Sequence, residues 1–486
     1  MTNLPGISGI AAYFPAYKVN LRDWCLWTGA SWDKTRAVVG NSFRMPGDKE
    51  DVYTMAASAA LRLIHQYDLD PGEITYIGLG TESSADNSAG AIIIKGMLDE
   101  ALLACGKPPI SRHCEVPEFK HACLGSVYAL KSALRYLSFD GKGSKALVIS
   151  ADIAQYERNS SGEPTQGAGA IAMLLESDPR LLGFDLHHAG NSSAYRCLDF
   201  RKPMARFTQQ TPLPSGHIKD LPLFNGKYST SCYIDAVMQA ALDMFSRLEE
   251  QPAEFLKNLS GVFMHRPYQN MPLKGWALIY LLSLARGNAA HQSELAGYCQ
   301  QANVTPETVI QELKNPGDLL GLVRDNRLDD ELLPVTMRVL NAFKQTAAYK
   351  ENVTDKMKLG ITAAADMGNL YTASLPAWLA AGLEEAMETG INLAGSTLLS
   401  IGYGSGDAAE VIPVRVVPGW EKAARLMNIK ESMATSVDLD QANYETLHDH
   451  GRLSCHPANA VSRFEVERIG KTETDRDIAF YHHLTD

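Results

Sequence analysis

Cysteine is scarce: the chain has eight in 486 residues, with no CxxC and no Cys/His pair at zinc spacing. That excludes a disulfide scaffold and a zinc module, and fits mostly buried thiols in a reducing cytoplasm. Positive charge is also short. A formal net charge of −11 leaves no basic excess of the kind nucleic-acid binding needs. A few local lysines would still suffice for an anionic small molecule. Long apolar runs are missing. Trp276–Ala285, interrupted by Ser283, is about half of a bilayer span, so no membrane segment is expected. No basic residue precedes the first apolar stretch, so no secretory signal is expected either. No low-complexity segment or short repeat stands out. What is present is 45% hydrophobic and 21% charged, an ordinary folded composition. The length suits about two to four domains or one large duplicated unit.

Strand-like and helix-like patterns alternate along the first half. Ile7–Tyr13 reads as a strand, and Val52–Tyr67 as a helix with Met55, Ala59, Leu63 and Tyr67 every four residues. Ile74–Leu79 reads as a buried strand, Ala129–Leu137 as a helix, and Ala146–Ser150 and Gly167–Leu175 as strands. Such alternation predicts an α/β layered fold. Residues 201–222 hold four prolines among polar residues and read as an extended crossover. The second half repeats the pattern, with a helix over Tyr233–Leu248 and strands at Gly261–Met264 and Leu398–Ile401. Residues 286–350 are polar and helix-rich, an elaboration on the main fold, and the tail from about Trp420 is amphipathic and charged.

Five features could carry chemistry. Cys123 lies in FKHACLGSVYAL, with a helix pattern starting at once. A thiol at a helix N-terminus meets the positive end of the helix dipole, which favours the thiolate. Taken alone, it also fits a small buried thiol. The other seven cysteines lack this setting. Glu82 follows the strand ITYIGLG; a desolvated carboxyl there is fitted to act as a general base, and taken alone it fits a helix-cap or surface carboxylate better. Asp86 nearby reads as a helix cap. His265 follows the strand GVFM and precedes Pro267, which turns it into a loop where an imidazole can donate to a carbonyl; as one of thirteen histidines it also fits a hydrogen-bonded structural imidazole. The turn Gly402-Tyr403-Gly404-Ser405-Gly406 can present backbone N–H groups to an oxyanion. Asn369, in MGNLYTAS, reads equally as a helix N-cap.

Together these segments resemble the 3-hydroxy-3-methylglutaryl-CoA synthase family of thiolase-like condensing enzymes. The resemblance rests on GDKEDVYTMAASAA, GTESSADNS, FKHACLGS, SADIA, GEPTQGAGAIAMLL, LDFRKP, FNGKYSTSCYIDA, MHRPYQNM, GNLYTAS and GYGSG, in family order up to about residue 410. KHAC, GTESSADNS, GEPTQGAGA and the tail segment YETLHDH look like the branch that installs β-methyl groups on carrier-bound polyketides. The resemblance implies two similar α/β halves stacked as αβαβα. The amino-terminal half would span 1–200, the crossover 201–222, the carboxy-terminal half 223–425 with the helical insertion at about 286–350, and an extension 426–486. It implies a cytoplasmic homodimer with no metal and no permanently bound cofactor. Coenzyme A thioesters, acetyl-CoA and a β-ketoacyl thioester, would be the substrates, with an acyl carrier protein as alternative partner.

The resemblance also assigns roles. Cys123 is the nucleophile that takes an acetyl group, and Glu82 the base that deprotonates its methyl. His265, assisted by Asn369, holds the ketone of the second substrate. Ser405 and Gly404 belong to the oxyanion turn, Lys274 faces the CoA phosphates, and Tyr233 joins the substrate-binding set. The implied product is a 3-hydroxy-3-methylglutaryl thioester, released by hydrolysis at Cys123. This chain departs from the family at Leu124, where tyrosine is usual, and at Asn270, where lysine is usual. The interval of 104 positions from His265 to Asn369 is also longer than expected, by the insertion. Cys123, His265 and Asn369 would equally satisfy an enzyme of the ketoacyl-synthase III kind, and Leu124 with the insertion would suit a non-catalytic or purely acyl-transferring scaffold. Glu82 discriminates, because a ketoacyl synthase does not rely on a glutamate there.

Overall fold

The structure is a computed structural model, and it describes residues 4–84, 88–196, 198–200, 221–222, 224–453 and 464–484. The crossover at 201–220, Asp86, Cys197 and Cys455 lie outside the described residues.

Ten strands form one continuous mixed sheet. They are β1 (Gly6–Tyr13), β2 (Ile74–Gly80), β3 (Glu118–Phe119), β4 (Lys145–Ala154), β5 (Gly167–Glu176), β6 (Leu182–Phe184), β7 (Gly190–Ser193), β8 (Gly261–Met264), β9 (Thr397–Gly404) and β10 (Ala408–Val416). The first half is ordered β3-β2-β4-β5-β1, with β5 antiparallel to both neighbours. The second is ordered β8-β9-β10, followed by β6 and β7 side by side along β10, and here β10 runs antiparallel to its neighbours. One order thus occurs twice, except that β6 and β7 share the place β1 holds in the first copy and β3 has no counterpart in the second. β1 and β6 join the halves through Gly6 opposite Gly183 and Ile7 opposite Leu182. β6 and β7 precede residue 200 yet belong to the second half's sheet.

Side-chain alternation along the strands defines the layers. The helices involved are α1 (Val52–Gln66), α2 (Gly90–Ala104), α3 (Gly125–Ser138), α4 (Lys227–Phe245), α5 (Asn270–Arg286) and α6 (Ser374–Glu388). On β2, Leu79 points to Gly90 of α2, while Tyr76, Gly78 and Gly80 face Ser132, Ala129 and Ser126 of α3. On β8, Phe263 packs on Trp378 and Gly382 of α6, while Met264 meets Gly275 of α5. On β9, Gly402 faces Leu124 and Val127 at the start of α3, and the opposite-facing Tyr403 packs on Tyr233 of α4. α3 and α6 therefore fill the layer between the two halves of the sheet, and the other four helices cover the outer faces. This is the five-layered thiolase-like architecture.

Apolar periodicity explains why these helices form where they do. In α1, twelve of the fifteen residues are buried, and Asp51 caps its start by accepting from the Thr54 N–H at 2.8 Å. The apolar run Trp276–Ala285 is the buried middle of α5. Among the described residues no helix is long and apolar enough to cross a membrane. The 286–350 segment is helical, with helices at Ala289–Gln301, Pro306–Lys314, Leu319–Arg324 and Pro334–Phe343. Of the six described cysteines, all unbridged, Cys105 is exposed and Cys114 half-buried, so the expectation of buried thiols holds for Cys25, Cys123, Cys232 and Cys299.

Candidate active site

The nucleophile candidate sits on a strained turn. Ala122, just before Cys123, has φ +40°, a conformation that costs an L-residue about 1–3 kcal/mol. The turn closes through the Leu124 N–H donating to the His121 carbonyl at 2.9 Å, and α3 starts two residues after the thiol. Gly125 is required there, because a Cβ would lie 2.6 Å from the Phe119 carbonyl oxygen. The sequence-predicted helix-start geometry is present, and Cys123 is 7% exposed.

Glu82 meets it: Cys123 Sγ lies 3.3 Å from Glu82 Oε2. The carboxylate is held there through its own backbone. Asp152, fully buried on β4, accepts from the Glu82 N–H at 2.8 Å, the Ser83 N–H at 2.8 Å, the Ser83 hydroxyl at 2.6 Å and the Thr81 hydroxyl at 3.0 Å. Its other oxygen accepts from the Thr372 N–H at 3.0 Å and from the Thr372 hydroxyl. One side chain thus ties the Glu82 loop of the first half to the Asn369–Thr372 segment of the second. Sequence reading quoted SADIA without giving Asp152 a role. The available signal was a lone acid inside an otherwise apolar strand, since such charges are almost never buried without partners.

A cavity of about 670 Å³ opens over the thiol, and Cys123, His265, Asn369, Ser405 and Lys274 all line it. His265 is 2% exposed, its backbone N–H donates to the Ile401 carbonyl at 2.8 Å, and its Nδ1 has no hydrogen-bond partner among the described residues. Burial pushes its pKa down to about 3, so the ring is neutral at physiological pH. Asn369 Oδ1 accepts from the Tyr371 N–H and the Ser374 hydroxyl, both at 3.0 Å, and its amide donates to the Tyr156 hydroxyl at 3.4 Å. It therefore caps the Tyr371–Ala373 turn ahead of α6, and the same side chain reaches the cavity. Tyr156, Tyr371 and Phe200 form an edge-to-face trio beside Cys123. Sequence reading missed these three because aromatic residues ordinarily signal core.

Two expected contacts fall elsewhere. Tyr233 is fully buried and does not line the cavity. Its hydroxyl donates to the His265 carbonyl at 3.1 Å and its ring packs on Tyr403, so it positions His265 from behind. Gly404 contributes close approach instead of a lining surface: a Cβ would lie 2.7 Å from the His121 carbonyl oxygen and 2.8 Å from Leu124 Cβ. Leu124 likewise points away from the cavity, against Gly402, whose added Cβ would stand 2.6 Å from Leu124 Cδ1. The leucine fills the interface between α3 and β9.

Behind His265, the Tyr403 ring stacks on the imidazole. The Tyr403 hydroxyl lies 2.6 Å from Asp199 Oδ2 and 3.0 Å from Asp407 Oδ1. Burial, and then Asp199, raises the Asp407 carboxyl far above the usual carboxylate range, as expected for two carboxyls sharing a proton. Asp199, Cys232 and Asp407 are the one group among the described residues whose ligand atoms fall within 4.8 Å of one another. The tyrosine hydroxyl bridges its acids and Arg196 approaches Asp407 at 3.9 Å, so it reads as a proton-sharing network.

The family profile described as Hydroxymethylglutaryl-coenzyme A synthase N terminal matches residues 2–179, and its C-terminal counterpart matches 210–452. The chain belongs to the hydroxymethylglutaryl-CoA synthase family. Among curated relatives, a Haloferax volcanii hydroxymethylglutaryl-CoA synthase is 27% identical over 88% of this chain and 86% of its own length. Among solved structures, MvaS in complex with 3-hydroxy-3-methylglutaryl coenzyme A is 25% identical, with TM-score 0.75 over 99% of this chain and all of its own. The curacin-pathway HMG synthase in complex with holo donor-ACP is 19% identical, with TM-score 0.70 over the same shares, and supports the fold.

Proposed function

We propose that this member of the family makes a 3-hydroxy-3-methylglutaryl thioester. The observation that carries the reading is the Glu82 carboxylate 3.3 Å from the Cys123 sulfur, beside a cavity that His265 and Asn369 line. The Cys123 thiolate attacks an acetyl thioester and expels the donor thiol, leaving acetyl-Cys123. A thioester keeps its α-hydrogens acidic, so the acetyl methyl is the group a neighbouring carboxylate can deprotonate. Glu82 takes that proton. The enolate carbon bonds to the ketone carbon of a β-ketoacyl thioester, and the ketone oxygen takes up the proton that Glu82 removed, becoming the tertiary alcohol and restoring the carboxylate. The neutral His265 imidazole holds that oxygen with an N–H, with Asn369 beside it and the Ser405 turn facing the acetyl carbonyl. Preorganised donors of this kind each contribute about 3–4 kcal/mol. Water then cleaves the Cys123 thioester and frees a carboxylate.

The ketoacyl-synthase III alternative needs Cys123, His265 and Asn369 but leaves a carboxylate in contact with its nucleophile unexplained. Coenzyme A and a carrier protein both stand as acyl bearers, in line with what the two solved relatives are described as holding. The homodimer and cytoplasmic location belong to the same proposal. Intact-protein mass spectrometry with acetyl-CoA and an acetyl-carrier offered separately tests it. One acetyl group on Cys123, discharged by a β-ketoacyl acceptor, is the expected result. Label elsewhere, or none, would remove the reading.

A further inference from the structure

Three lysines line the cavity, Lys34, Lys227 and Lys274, a natural attraction for an anionic donor. The helical insertion reaches back to the same opening, and a three-residue piece of it engages two of them. The Asp329 carbonyl accepts from Lys227 Nζ at 3.3 Å, and the Glu331 carboxylate lies 3.2 Å from Lys274 Nζ. Asp330 and Glu331 line the cavity with these lysines, and the Asp330 carboxylate itself pairs with Arg327 at 2.6 Å. Lys344, also from the insertion, is held below the usual lysine range by burial and then by neighbouring Lys274, so positive charge is crowded there. Glu331 offsets that charge from a half-exposed position.

We infer that Glu331 is a specificity-determining residue: by pairing with Lys274 it lowers the pull of the cavity on highly charged donors and favours an acyl arm with a single phosphate. Coenzyme A carries a 3′-phosphate and a diphosphate, whereas a 4′-phosphopantetheine arm carries one phosphate, whether free or joined to a carrier protein. The inference rests on the acyl-transfer reading above. An attractive lysine is worth more to the donor with more negative charge, so neutralising it costs coenzyme A most.

The experiment measures the initial rate of Cys123 acetylation from acetyl-CoA, S-acetyl-4′-phosphopantetheine and uncharged S-acetylpantetheine. In Glu331→Gln, the acetyl-CoA rate at low donor concentration rises about threefold at low salt, as expected for a partly exposed ion pair. S-acetylpantetheine is unchanged, and the singly phosphorylated donor falls between. The gain disappears near 1 M salt, where the screening length is about 3 Å. It is absent when Lys274→Met is already present, and Glu331→Asp behaves as the wild type. If all three donors respond alike, or the gain persists without Lys274, the inference is overturned while acyl transfer stands. If the wild type takes acetyl from none of them and none from an acetylated carrier protein, the acyl-transfer reading fails and this inference with it; acetyl taken from the carrier alone overturns this inference and leaves acyl transfer standing.

Discussion

Asp152→Asn tests how the two halves are locked at the site. Six donors converge on this buried carboxylate, four on Oδ1 and two on Oδ2. Asparagine has one carbonyl oxygen. Turned toward the Glu82 loop, it keeps the four Oδ1 contacts in weaker, uncharged form, and its NH2 then stands 3.0 Å from the Thr372 N–H, donor against donor. An orphaned buried N–H costs about 1–3 kcal/mol, and charge-assisted bonds are about twice as strong as neutral ones. A total near 4 kcal/mol follows, which lowers the melting temperature of a chain of this length by about 4 °C. Glu82 is held by the N–H groups that Asp152 gathers, and a displacement of about 1 Å would slow condensation about 100-fold. Acetylation of Cys123 needs no proton from Glu82's target and falls less. A thermal melt with separate acetylation and condensation assays reads both effects. A variant that melts and condenses like the wild type would refute the clamp.

His265→Ala should weaken use of the β-ketoacyl partner while Cys123 still acetylates; unchanged KM and turnover for the acceptor would take His265 out of the site. The same histidine predicts a pH effect on stability. Its pKa falls from 6.5 to about 3 on folding, so its contribution is complete above about pH 6.5. It is lost as pH drops through that window, because only the unfolded chain binds the proton there. His265→Gln should flatten the acid limb by up to about 1.4 kcal/mol per pH unit, and an equally steep limb would contradict the burial of a neutral ring. Gly402→Ala places a Cβ 2.6 Å from Leu124 Cδ1 and 2.9 Å from Val127 Cγ2, an overpacking that costs about 1–3 kcal/mol in a denaturant titration. Full stability would show that the α3–β9 interface is looser than its contacts imply.

The parts of the fold legible in the sequence are those written in local period. Val52–Tyr67 became α1 at Val52–Gln66, and Ile74–Leu79 became β2, because each carries its own apolar pattern and boundary. β6 and β7 were not legible: they are three and four residues long, and Gly190–Ser193 has no apolar alternation, so only pairing with β10 makes it a strand. In the site, Cys123, Glu82 and His265 announced themselves by ending strands or opening a helix. Asp152 bonds Thr372 across 220 positions, and Glu331 meets Lys274 across 57, so neither contact has a local signature. Where the Tyr233 and Leu124 side chains turn was not legible for a related reason. A motif position says that a residue is near a site, and only packing says that its side chain turns to His265 or to Gly402.

The most direct test of the account follows the acetyl group on Glu82→Gln. The variant is loaded with acetyl-CoA, freed of donor, and given a β-ketoacyl thioester, while mass spectrometry of the Cys123 peptide is read over time. The account predicts that wild type clears the acetyl into product and that Glu82→Gln keeps it on the sulfur. Clearance into product by the variant at the wild-type rate would contradict it.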